Sequence, residues 1–208
     1  MLNQNIKIVN LSLHRSGTQS AQSFFSFYNL HSANWVNFLD IYKDVEKLPL
    51  NKILELFEKV TLEYEYFSNP PFNLMYEYFD KNFKNCKFIY VKRNANDWIK
   101  SVKTLTSHRK DNHFYFYETI QYEKYLNFRP KTIRDLSDED MEYVYNEHQK
   151  SIFKYFEEKD NLLQIDLNVM SNRQKAENLI NFLNLNKIIP DEDNSFHFPK
   201  IDMYKKRI

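Results

Sequence analysis

Two short stretches of the chain carry residue types suited to gripping an anion. The first, IKIVNLSLHRSGTQSAQSFF (Ile6 to Phe25), holds the only glycine among the 208 residues, Gly17. Arg15 precedes it, and Ser16, Thr18 and Ser20 place hydroxyls on both sides. Strand, turn and helix of this composition form an anion cradle. The first N–H groups of a helix lack internal partners and point outward. Glycine permits a left-handed φ and a close approach to the backbone. Arginine adds a permanent charge on a planar donor fork. The second stretch, KFIYVKRNANDWIKS (Lys87 to Ser101), ends a strand on Arg93 and sets Ser101 eight residues later, about two turns into a helix. Arg93 offers a bidentate contact and Ser101 a hydroxyl, so both suit one anion at the sheet's edge. Taken alone, the first turn also reads as an ordinary strand-to-helix turn that needs one glycine. It is not a Walker A loop, which requires an earlier glycine and a Lys directly after the second.

These residues need elements to hold them. Ile6–Leu11, Thr61–Phe67, Lys87–Val91 and Leu162–Asp166 read as strands. Between them lie apolar residues at helical spacing. They run from Thr18 (Ala21, Phe24, Phe25, Tyr28), over Asn51–Lys59, from Pro71 toward Phe83, and after a cap at Asn94 or Asn96 (Trp98, Ile99, Val102, Leu105). Asp138–Glu158 reads as a long helix, and Ser171 caps a last one holding Ala176, Leu179, Ile180, Phe182 and Leu183. His108–Pro130 is aromatic and charged without a clean period, and the chain after Pro190 is irregular. Strands alternating with helices predict an α/β domain, three-layer α/β/α around a mostly parallel sheet of about four or five strands. Ligands bind such sheets at the carboxyl ends of the strands, where both stretches sit.

The bulk properties narrow the function. The length suits one domain. A formal net charge of +1 argues against a general nucleic-acid binder. One cysteine, Cys86, leaves no internal disulfide and no Cys-based zinc site; it reads as a small buried hydrophobe. No charged segment followed by an apolar one marks a signal peptide, and no run approaches the ~18 apolar residues of a membrane span. A cytoplasmic location is the expectation.

At Arg15-Ser16-Gly17-Thr18 and Arg93-Asn94…Ser101, in this order and context, the chain resembles the sulfotransferase family. Trp98 and SFHFPKID (Ser195 to Asp202) are similar to its compact bacterial and algal-type branch. The resemblance implies a P-loop NTPase-like fold over residues 1–208, with 107–140 as a variable acceptor-side lid. It implies the donor 3′-phosphoadenosine 5′-phosphosulfate and no metal. Arg15, Ser16, Gly17, Thr18 and Gln19 would hold the donor's 5′ end, and Arg93 and Ser101 its 3′-phosphate. Lys200, Lys205, Lys206 and Arg207 either close over the nucleotide or form a solvated tail. The acceptor would be a hydroxyl of a carbohydrate, lipid or small metabolite, and a homodimer is among the arrangements the sequence admits.

The pattern departs from the family at two places. Arg15 stands where many members have Lys; a guanidinium stays charged, so it can stabilise charge but not readily donate a proton. Ser68 or Asn69 stands where many members have a His or an acidic base. Glu65 is the candidate base instead, with His31, His108 and His113 as alternatives. Two other readings stay open: a P-loop small-molecule kinase, disfavoured by the missing Lys after Gly17, and a non-catalytic nucleotide-binding protein of the same fold.

Overall fold

The computed structural model describes residues 6–33, 48–108 and 115–185. Its centre is a five-stranded sheet in the order β2-β3-β1-β4-β5, every pair parallel. The strands are β1 (Lys7–Asn10), β2 (Ser32–Ala33), β3 (Tyr66–Ser68), β4 (Cys86–Lys92) and β5 (Leu162–Asp166). The helices are α1 (Thr18–Phe27), α2 (Leu50–Glu58), α3 (Tyr76–Asn82), α4 (Ala95–His108), α5 (Tyr115–Leu126), α6 (Asp138–Tyr155) and α7 (Asn172–Leu183).

The layers follow from the handedness of parallel crossovers. The step from β1 to β2 runs one way across the sheet, and the later steps to β3, β4 and β5 run the other way. Right-handed crossovers therefore put α1 on one face and the helices of the later connections on the other. The side chains agree. Ile8, Tyr66, Ile89, Val91 and Ile165 pack with α1 and α7. Val9, Phe67, Phe88 and Tyr90 pack with α2, α3, α5 and α6. Strands covered on both faces read as continuous apolar runs rather than alternations, as β4 does. A third cluster, around Trp98, Val102, Tyr122, Val144 and Tyr145, joins α4, α5 and α6 to Leu13 in the loop after β1.

The sheet is α/β and parallel as the sequence predicts, with local differences. Ser32–Ala33 adds a strand too short to leave a pattern. Thr61–Phe67 is not one strand: Lys59–Leu62 is a 3-10 turn, and β3 begins only at Tyr66. The chain after Pro71 first makes a 3-10 turn, Phe72–Leu74, before α3. His108–Pro130 contains α5, and α6 stops at Tyr155. Asn94, not Asn96, caps α4: its Oδ1 accepts from the N–H groups of Asn96 and Asp97 at 2.9 and 3.3 Å.

Neighbours β1 and β4 continue in opposite directions, β1 toward β2 and β4 toward β5. A crevice forms outside the carboxyl ends of two such strands, flanked here by the loop Leu11–Gly17 and by Arg93-Asn94.

Candidate functional site

The loop after β1 is fixed one atom at a time. The Leu11 N–H donates to the Ile89 carbonyl at 2.8 Å, so the ladder runs one residue past the strand. Ser12 then replaces a ladder carbonyl with its side chain, its Oγ accepting from the Val91 N–H at 2.6 Å. Asn10 Oδ1 accepts from the Ser12 N–H at 3.0 Å, while Asn10 Nδ2 donates to the Tyr66 hydroxyl at 3.2 Å. Helices hold the rest. His148 Nε2, on α6, donates to the Leu11 carbonyl at 2.6 Å. Trp98 Nε1, on α4, donates to the His14 carbonyl at 2.7 Å. The His14 ring meets the Tyr122 hydroxyl through Nε2 at 3.1 Å and stands edge-on to Trp98, with centroids 5.9 Å apart.

His148 is fully buried, and its protonation state follows from its bonds. Nε2 faces a carbonyl and must carry hydrogen, so Nδ1 accepts from the Tyr125 hydroxyl at 2.8 Å. Both nitrogens are then satisfied by a neutral ring. Burial, with a smaller contribution from Lys124, pushes its pKa down to about 4.

Arg15 and Gly17 both take left-handed backbone, at φ 66° and 77°. Gly17 is the N-cap of α1, and no side chain caps that helix. The other left-handed residues described are Asn29, Asn69, Asn127 and Asn184, with φ between 51° and 68°. Asparagine tolerates this conformation best after glycine, and this chain uses it where a turn alone requires one. A turn alone would accept asparagine at position 17 too. Glycine differs from asparagine here in leaving no Cβ at the amino end of α1. An anion at the start of a helix uses such room.

The two candidate stretches meet. Arg93 Nη1 donates to the Arg15 carbonyl at 2.8 Å, and Arg15 Nε donates to Ser101 Oγ at 3.2 Å. Arg93 is held by α6 in turn. Its N–H donates to the Tyr145 hydroxyl at 3.1 Å, and that hydroxyl makes a very short bond to the Arg93 carbonyl. Tyr145 stacks at 5.2 Å from Trp98. Burial lowers the Arg93 pKa; Asp97 opposes this, and Arg15 adds to it. The positive charge of Arg15 thus works against that of Arg93.

Arg15, Arg93 and Ser101 therefore meet at the crevice between β1 and β4, where Ser16–Gln19 continue the same turn into α1. Glu65 does not. It stands just before β3, at the amino end of the sheet, ~10 Å along the strand from Ser68. Its Oε2 accepts from the His31 N–H at 2.8 Å. The physical reason is direction: in a parallel sheet residues preceding a strand lie opposite the loops that follow it. His31 lies at the same far end, bonded to Glu65 and Tyr66 through its carbonyl. Ser68 and Asn69 do reach the carboxyl edge, beside Asn10. His108 ends α4. His113, the stretch Ser195–Asp202 and Lys200, Lys205, Lys206 and Arg207 lie outside the described residues.

Sequence reasoning missed the supporting set of His14, Tyr122, Tyr145 and His148. Three-residue spacing on one face of α6 would have paired Tyr145 with His148, but nothing in that spacing separates support from core. Among the described residues no group of three or more His, Cys, Asp or Glu could hold a metal ion. No helix among them is long and apolar enough to cross a membrane.

No curated protein matches the chain. Residues 7–206 match the model of a family described as a sulfotransferase domain. That span takes in every strand of the sheet and both loops of the crevice, and the chain belongs to the sulfotransferase domain family.

Proposed function

We infer that the protein transfers a sulfuryl group from 3′-phosphoadenosine 5′-phosphosulfate to a hydroxyl of a small-molecule or glycan acceptor, as a single-domain cytoplasmic enzyme. The observation that carries this reading is the bond from Arg93 to the Arg15 carbonyl, with Arg15 on Ser101. It brings the donors of two distant loops together, as one nucleotide anionic at both ends would require.

When bound, the donor supplies the sulfuryl group and a phosphate leaving group. Arg15, Ser16, Gly17, Thr18 and Gln19 would receive its 5′ end, and Arg93 and Ser101 its 3′-phosphate. Arg15 supplies fixed positive charge where negative charge builds on the departing phosphate oxygen. Its guanidinium cannot readily give up a proton, so its part is electrostatic. The charge costs little reorganisation, because Ser101 already orients the guanidinium and Arg93 fixes the backbone behind it. We give Glu65 and His31 no part in proton transfer, since both face the other end of the sheet.

Adenosine 3′,5′-bisphosphate tests the nucleotide site directly. The reading expects it to raise the Tm of the wild-type protein and Arg93→Ala to remove that shift. Absence of a shift at millimolar ligand overturns the reading. A larger, magnesium-dependent shift with ATP would favour a kinase. Ser68 and Asn69 at the carboxyl edge, where a base would be useful, support a second reading: a nucleotide-binding protein without turnover. Bisphosphate binding with no transfer of radiolabelled sulfate to any acceptor favours that one.

A further inference from the structure

One rung of the ladder between β1 and β4 is exchanged for two side-chain bonds. In a parallel pair, a residue bonded to the neighbouring strand donates its N–H to one residue there and accepts, at its carbonyl, from the N–H two residues further on. Leu11 follows Asn10, which pairs with Ile89, and its N–H donates to the Ile89 carbonyl at 2.8 Å. A regular ladder would therefore bring the Val91 N–H to the Leu11 carbonyl. Instead that N–H donates to Ser12 Oγ at 2.6 Å, and the Leu11 carbonyl accepts from His148 Nε2 at 2.6 Å. Leu11, Ser12, Val91 and His148 are all buried, so neither backbone group could leave the ladder without a new partner. The two side chains need each other. Ser12 takes the N–H that the carbonyl gives up, and His148 takes the carbonyl.

The exchange falls where the chain leaves the sheet for the glycine turn. A regular rung would keep the Leu11–Ser12 peptide in the plane of the sheet and carry the chain on along β4. Turning that peptide ends the ladder. The residues that follow form the loop whose carbonyls are held by Trp98 at His14 and by Arg93 at Arg15. Val91 stands two residues before Arg93, so the Ser12 bond ties the same two loops together a second time, on the sheet side of the contact between Arg93 and Arg15. Tyr125 keeps the imidazole in the required form: its hydroxyl, on Nδ1 at 2.8 Å, leaves Nε2 to carry the hydrogen.

Building on the reading of the crevice as a nucleotide site, we propose that Ser12 and His148 are positioning residues: by exchanging this rung they turn the chain out of the sheet and aim the Arg15–Gly17 turn at the bound anion. Both act through the backbone from Leu11 to Arg15, and Tyr125 acts through His148. The arrangement has a consequence for paired substitutions. With either side chain removed, one backbone group is stranded, because the other side chain still holds its mate, and a stranded buried group is costly. With both removed, the Val91 N–H and the Leu11 carbonyl are free to meet and the ordinary rung returns. Stability and nucleotide affinity then part, since the rung restores the first and not the second.

The test uses Ser12→Ala, His148→Leu and the two combined, in the full chain, with Tyr125→Phe as a milder disturbance of His148. Two readouts are taken: Tm, and the dissociation constant of adenosine 3′,5′-bisphosphate by calorimetry at a temperature where each protein is folded. Tm should fall in each single variant and fall in the combined one by less than the sum of the two. The dissociation constant should rise at least tenfold in folded Ser12→Ala and in the combined variant, and several-fold in Tyr125→Phe. A His148→Leu protein that unfolds alone but folds when Ser12→Ala is added would support the returning rung directly. If neither folds, Ser12→Ala and Tyr125→Phe decide by affinity. Wild-type affinity in those two would make the bonds structural only and overturn the proposal, and so would falls in Tm that simply add. Failure of the wild type to bind the bisphosphate is a different outcome, and it removes the nucleotide reading itself.

Discussion

Arg93 Nη1 lies 2.8 Å from the backbone oxygen of Arg15, 78 residues earlier in the chain. The contact joins the loops after β1 and β4 across the crevice, and it falls on a residue at φ 66°. A left-handed arginine costs ~1 kcal/mol or more, so the bond helps hold a conformation that the chain disfavours. Arg93→Lys keeps the charge and loses the planar fork. We expect it to weaken bisphosphate binding by tenfold or more in a titration, with a fall in stability of about 1 kcal/mol. Binding equal to wild type would show that charge alone suffices at this position.

Gly17→Asn separates backbone conformation from space. Asparagine already occupies left-handed turns at four other described positions, so the variant should fold with a Tm within a few degrees of wild type. Its Cβ intrudes on the amino end of α1. The bisphosphate shift should vanish, and a retained shift would reduce Gly17 to a turn residue.

Tyr145→Phe removes one hydroxyl that bonds both the N–H and the carbonyl of Arg93. The ring and its stacking on Trp98 remain. About 1 kcal/mol of stability should be lost, because two half-buried backbone groups lose a partner. If the hydroxyl also sets the direction of Arg93, KM for the donor rises by more than kcat falls. A lower Tm with unchanged kinetics would limit Tyr145 to the core.

His148 makes stability depend on pH in a definite direction. Its pKa is about 4 in the folded protein against about 6.5 in an unfolded chain. The unfolded state therefore binds the proton first as pH falls. Its contribution is complete above about pH 6.5 and is lost progressively toward pH 4. Urea midpoints measured across this window should fall with pH in the wild type. His148→Gln, less stable at neutral pH, should show a shallower fall. Parallel slopes in the two proteins would assign the acid sensitivity elsewhere.

Ser101→Ala leaves Arg15 Nε without its hydroxyl partner at 3.2 Å. The site is half-buried, so stability should change by less than ~1 kcal/mol. A several-fold rise in the bisphosphate dissociation constant is expected from calorimetry, and an unchanged constant would take Ser101 out of the site.

Much of this was legible from residue order. β4 and β5, the Asn94 and Ser171 caps and the inner face of α4 follow from apolar runs and capping chemistry, and the two anion-gripping stretches stand at strand ends as read. Three features left weaker traces. A two-residue strand such as β2 has no periodicity to detect. Thr61–Glu65 alternates in polarity, yet Thr61 Oγ1 bonds back to the Glu58 carbonyl at 2.6 Å and continues the helical turn. Ile120, Gln121 and Tyr122, three successive residues of α5, are all fully buried, so polar and apolar residues do not separate there with a helical period. Glu65 was misplaced for a related reason: three residues of sequence distance from Ser68 are nearly the height of the sheet.

The indole of Trp98 gives the molecule an optical gauge. It is fully buried, and its N–H is tied to the carbonyl one residue before Arg15. Indole emission responds to the field and hydrogen bonding around that N–H. The chain has one other tryptophan, Trp35, and Trp35→Phe would leave a single fluorophore. Occupancy of the glycine turn could then be followed in stopped flow with no label attached. Arrival of donor and departure of product would become separately timed events in the protein's own light.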